Sequence, residues 1–189
     1  MTVRPIGGNY KECEEAIKYV NREFPFVPDN VFAQVDPRRT EVEGARKRFI
    51  ELFGEGGRSS EISRWMKRYG KGRCTEMSYT AFDYLKKVSS RRICIVLVGP
   101  SYQRRTWGDY HVTVCVNATG VELERTIEVD QFSADTWFCD PWLAAWAKQQ
   151  EDTSRHDHRG LYQPNQFAEV MSLSDYGTEG QIVFEKPAR

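Results

Sequence analysis

A cysteine, a histidine and an aspartate can cleave an amide together if a fold gathers them. The thiolate attacks, the imidazole moves the proton, and the carboxylate orients the ring. Cys74 stands in "YGKGRCTEMSYTAFDYL" (69–85), between a glycine-bearing turn and an amphipathic run. A helix start presents unpaired N–H groups and partial positive charge, which lower a thiol pKa from about 8.5 into the range of roughly 3.5–7.5. The same N–H groups can face a developing oxyanion. Gly70 and Gly72 let the chain turn sharply before the helix and leave room for a substrate. Of the three histidines, His156 and His158 fall in "TSRHDHRG", a polar, loop-like stretch, whereas His111 leads the strand-like "YHVTVCVN". His111 is therefore the favoured base. Three aspartates compete to orient it. Asp140, in "TWFCDPW", ends a strand where a proline halts the ladder and two tryptophans can wall a pocket; it is preferred. Asp130, in "EVDQF", is the rival, and Asp109 is too near His111 in the chain. Taken singly, Cys74 would read as a small buried hydrophobe and His111 as a structural histidine; their order along the chain favours the catalytic reading. Glu76 is a first-turn acid suited to the helix dipole and a candidate substrate contact. Trp107, Trp137, Trp142 and Trp146 read as core or wall, with Trp142 also a candidate substrate contact.

The positioning elements follow from periodicity. Cys13, Ile17 and Val20 recur at helical spacing over 10–23, and the two prolines of "FPFVPDN" end that helix. Val42, Ala45, Phe49 and Phe53 predict a helix over 40–53. "SEISRWMKRYG" predicts a short helix opened by Ser60 and closed by Gly70. Met77, Ala81, Leu85 and Val88 share one face of a helix over 74–88. "RRICIVLVG" (91–99) is a central strand. In 110–117, Val112, Val114 and Val116 alternate with His111, Thr113 and Cys115. Further extended segments are expected at 125–132, 135–140 and 181–185, and a short helix at 143–150 opens a long irregular polar region. Helices followed by antiparallel strands define an α+β class, a helical layer packed on a sheet, in one domain over 1–189.

Composition narrows the function. The chain of 189 residues is 40% apolar and 13% aromatic, the profile of a globular domain. With 27 basic against 27 acidic side chains it has no positive footprint for sequence-independent nucleic-acid binding. The basic runs "RRTEVEGARKRF" and "SYQRR" read as solvated faces. No apolar run reaches the ~18 residues of a membrane span, and no secretory signal is visible at the N-terminus. Five cysteines (13, 74, 94, 115, 139), odd in number and irregular in spacing, fit a reduced compartment rather than a disulfide framework. "HDH" at 156–158 is poor zinc spacing, and "GEGGRSS" lacks the lysine of a phosphate loop, so neither metal nor cofactor is expected.

The order "GRCTEMS", then "GDYHVTVCVN", then "WFCDPW" resembles the papain-like cysteine hydrolases of bacterial effectors and toxins, among them the deamidase-like domains of Pasteurella multocida toxin and Salmonella effectors and the YopT-like effector proteases. The resemblance covers about residues 69–146, a catalytic core; residues 1–60, a helical N-terminal part, lie outside it. It implies a papain-like fold, a Cys74–His111–Asp140 triad and a thioester intermediate. The implied activity is deamidation of a protein glutamine, with proteolysis or acyl transfer as alternatives. A non-catalytic protein-binding module is the reading from another class. The implied partner is a target protein in a host or competitor cell, reached by translocation without a cleavable signal; a cytoplasmic protein is the other expectation. The His-to-Asp separation of 29 positions (111 to 140) exceeds the family pattern, placing an insertion around "NATGVELERTIEVDQF" and keeping Asp130 in play. Such enzymes often draw an oxyanion donor from an upstream glutamine, here Gln34; backbone donation at Cys74 is the alternative.

Overall fold

The computed structural model describes residues 9–24, 44, 45, 47, 48, 51, 59–68, 70, 72–99, 111–149, 160–167 and 179–188. Helix α1 (Asn9–Glu23) buries Cys13, Ala16, Ile17 and Val20, the helical stripe anticipated from spacing. Helix α2 (Ser59–Arg68) begins one residue before Ser60, which is therefore inside its first turn rather than its cap. Gly70 closes α2 as expected: its φ of +62° suits glycine, and its N–H donates to the Lys67 carbonyl at 3.1 Å. Helix α3 (Cys74–Val88) buries Met77, Ala81 and Leu85. Val88 departs from that face and is half exposed, because the last turn, with Lys86 and Lys87, stands clear of the core. Of the helix expected over 40–53, residues 44, 45, 47, 48 and 51 are helical; its other positions lie outside the described residues.

Among the described residues, six strands form one sheet in the order β3-β6-β1-β2-β4-β5, every pair antiparallel. They are β1 (Ile93–Gly99), β2 (His111–Val116), β3 (Thr126–Glu128), β4 (Trp137–Cys139), β5 (Leu161–Tyr162) and β6 (Glu179–Lys186). With the helices this is the α+β architecture expected. β1 is central, flanked by β2 and β6, which is why its β-branched run needs no polar alternation. β2 alternates in sequence, yet all six of its residues are buried, because both faces of the sheet are covered. Register aligns Ile95, Val114 and Cys139 on one face, where the Cys139 sulfur donates to the Cys13 carbonyl of α1 at 3.6 Å. The other face lies under Val129, Phe132 and Phe167, with Phe138 and Tyr162 stacked 5.2 Å apart.

Several boundaries differ from the expected ones. The segment 125–132 is a strand only over β3, then a 3-10 turn at Val129–Gln131. Helix α4 spans Pro141–Gln149, two residues ahead of the expected start at 143, because Asp140 caps it. β5 falls inside the region read as irregular, since two residues leave no period to detect. β6 runs eight residues rather than five. Helices α1, α3 and α4 contact one another, α3 packs on β1 and β2, and α1 packs on β4 and β5. Among the described residues, no helix is long and apolar enough to cross a membrane.

Candidate active site

Cys74 is the first residue of α3, after Arg73 in extended backbone (φ −108°). The capping here runs backwards. Glu76, at the third helical position, accepts the Arg73 backbone N–H at 2.9 Å, fixing the chain where it enters the nucleophile. The Arg73 guanidinium is donor-only, so it cannot return the bond that a serine cap would. Glu76 is 1% exposed, a buried helix-entry carboxylate. Upstream, Gly72 lies against Phe24: a Cβ there would meet the ring at 2.8 Å, so the close approach of α1 to the entry of α3 favours glycine.

His111, fully buried at the start of β2, faces Asp140 at the end of β4. Its Nε2 lies 2.5 Å from Asp140 Oδ2. That leaves Nδ1 as the ring's other polar atom, and Cys74 is the second side chain, after Asp140, whose proximity raises the ring's pKa. Strand β4 ends at Cys139 and Pro141 opens α4, so Asp140 stands between strand and helix. Its Oδ1 accepts the Leu143 N–H at 2.9 Å as an N-cap, while Oδ2 holds the imidazole. The Asp140 backbone N–H donates to the Gly160 carbonyl at 2.7 Å, and the Tyr162 hydroxyl approaches Oδ2 at 3.4 Å. The proline of "DPW" thus starts a helix as well as stopping a strand. Trp142, 2% exposed, tilts over the imidazole with ring centroids 5.5 Å apart and shields one side of the ring.

The electrostatics separate this cysteine from Cys115 and Cys139. Burial alone would raise the Cys74 thiol. The hydrogen bond and charge of His111, with the Val112 backbone N–H, outweigh burial and the opposing Glu76 carboxylate, and the thiol ends below its ordinary value. Burial would lower His111, but the Asp140 charge and hydrogen bond, aided by Cys74, push it up to about 10. Both shifts favour a thiolate–imidazolium pair. By contrast, burial and contact with Cys94 push the Cys115 thiol well up, and contact with Cys13 together with burial does the same to Cys139. Burial and the neighbouring Asp140 charge also push up the Tyr162 hydroxyl, which stays a donor.

The structure brings Cys74, His111 and Asp140 together. Asp130 does not join them: it is exposed in the 3-10 turn after β3, and the imidazole is taken by Asp140. Gln34, Asp109, Trp107, His156 and His158 lie outside the described residues. Among the described residues, no group of three or more His, Cys, Asp and Glu side chains could hold a metal ion. The sequence reading missed Gly160 and Tyr162, which support Asp140; a lone glycine and a two-residue strand carry no signal of that role. It also missed Ser78, which spacing could have offered, being one helical turn from Cys74. Comparison with protein-family models, curated proteins and solved structures gave no match.

Proposed function

We propose that this chain is a cysteine-dependent amidohydrolase of papain-like type acting on a target protein, in the first instance a protein-glutamine deamidase. The observation that supports this reading is the junction of a helix-start cysteine with a buried His111–Asp140 pair, Nε2 to Oδ2 at 2.5 Å. The Cys74 thiolate attacks the side-chain amide carbon of a glutamine. First-turn N–H groups of α3 face the oxyanion. His111 returns its Nδ1 proton to the leaving nitrogen, ammonia departs, and a thioester remains. Water then attacks the thioester with neutral His111 taking its proton. Glutamate is released, and thiolate and imidazolium are restored. Asp140 holds the ring in the tautomer that directs Nδ1 at sulfur. Peptide hydrolysis and acyl transfer share the first half of this cycle. On the family resemblance, the setting is a bacterial effector or toxin delivered to another cell.

The test has two stages. Iodoacetamide at neutral pH is expected to modify Cys74 far faster than the other four cysteines; equally slow labelling of all five would favour a non-catalytic binding module. A candidate target is then incubated with the protein or with Cys74→Ala and weighed intact. A gain of about one dalton per site means deamidation, two fragments mean proteolysis, and an amine adduct means transfer. If Cys74→Ala performs like the unmutated protein, the mechanism fails.

A further inference from the structure

The ladder between β2 and β4 stops early. It pairs Val114, Cys115 and Val116 with Cys139, Phe138 and Trp137 in turn. Continuing that register would set Val112 opposite Pro141, the first residue of α4, which has no N–H to give. The peptide groups of Val112 that point to this side are buried and need partners from elsewhere. Helix α3 supplies both. The Ser78 hydroxyl donates to the Val112 carbonyl at 2.8 Å, and the Val112 backbone N–H is the group on this side that helps lower the Cys74 thiol. Residues 74 and 78 are four apart, so they lie on one helical face and grip one peptide position as a pair. Ser78 is fully buried, while the Thr80 hydroxyl, the other buried one on this helix, turns back to the Glu76 carbonyl within α3.

We propose that Ser78 is a positioning residue for the nucleophile: by holding the Val112 carbonyl it sets the register of α3 on β2, aims the Val112 N–H at the Cys74 sulfur, and fixes that sulfur against His111. This rests on the hydrolase reading above. Ser78 touches neither substrate nor reacting atom; it acts through Val112. Losing its hydroxyl removes the clamp, lets the helix start drift from the strand, and weakens the hydrogen bond by which the Val112 N–H stabilises the thiolate.

The experiment follows iodoacetamide labelling of Cys74 against pH, located by fragment masses, which needs no substrate. In Ser78→Ala the midpoint is expected to rise by about one unit, roughly tenfold slower labelling below the midpoint. Ser78→Thr, which retains the hydroxyl, is expected to stay near the unmutated midpoint. A Ser78→Ala protein that loses thermal stability with an unmoved midpoint overturns the proposal, as does a Ser78→Thr protein shifted as far as Ser78→Ala. Should Ser78→Ala fail to fold, Ser78→Cys, similar in size and a weaker donor, gives the same reading: a raised Cys74 midpoint supports the clamp and an unmoved one overturns it. Slow labelling in the unmutated protein would instead defeat the hydrolase reading, so the two failures are distinct.

Discussion

His111 and Cys74 exchange a proton on folding, and stability records it. In the unfolded chain the ring titrates near 6.5 and the thiol near 9.0. In the folded protein His111 is raised to about 10 and Cys74 is lowered. Where the folded protein holds the pair's single proton on nitrogen and the unfolded chain holds it on sulfur, the lowered thiol offsets the raised histidine and the pair gives stability little slope. Above 9.0 the unfolded chain loses that proton while the fold keeps it, so stability falls as pH climbs toward about 10. In Cys74→Ser the compensation is gone. The raised histidine alone stabilises fully below 6.5, and its contribution declines as pH rises, by up to about 1.4 kcal/mol per pH unit. Urea denaturation of both proteins at several pH values between these limits checks this; equal slopes would argue against the thiolate–imidazolium pair. Asp140→Asn is the complementary variant. Asparagine caps a helix about as well as aspartate, so α4 should persist, while loss of the carboxylate charge moves the alkaline limb of turnover below about 10 and cuts kcat by roughly 100-fold or more. The three reactive residue types were legible in the sequence because each sits at the edge of a periodic run. Asp140 is favoured over Asp130 for its proline and tryptophans, but Asp130 stays in play, since both follow strand-like segments and only the short β4 ladder decides which one meets the ring.

At the level of elements, the junction of β4, α4 and β5 carries the carboxylate. Gly160 has φ +78°, and a Cβ there would fall 2.0 Å from the Asp140 carbonyl oxygen. Gly160→Ala is therefore expected to destabilise by at least about 3 kcal/mol and to depress activity in whatever fraction remains folded. Thermal unfolding beside Cys74 labelling checks both; a protein of unchanged Tm would show that the junction is more pliant than its geometry. Gly72→Ala is the milder case, since Phe24 is a side chain that can shift. The long periodic elements, α1, α3 and β1, were readable because burial imposes a period on the residues themselves. β5 and the 3-10 turn were not, because two or three residues hold no period: Asp140 and Phe138 fix β5 from elsewhere in the chain, and the turn is anchored where its closing Phe132 packs on Phe138.

Across the whole molecule, the sheet is closed by its last strand. β6 lies between β1 and β3, and its Glu185 meets the Arg92 guanidinium, which also donates to the Val121 carbonyl at 2.7 Å. Deleting residues 179–189 strands β3 and opens one edge of β1, so the truncated chain is expected to lose its cooperative urea transition; retention of a sharp transition would show the core to be independent of β6. The sequence showed a final strand near residue 181 but not its place in the sheet, because insertion between two earlier strands depends on pairings about ninety positions apart (93 to 186), which no local pattern encodes. The double bond-making of Asp140 has a consequence for reading distant versions of this chain. Since the same side chain starts a helix and seats a ring, a descendant that had abandoned chemistry altogether would still profit from a capping oxygen here, and asparagine supplies one as well as aspartate. A capping residue at this place would then testify to architecture, and the negative charge kept beside sulfur and imidazole would testify to a working enzyme.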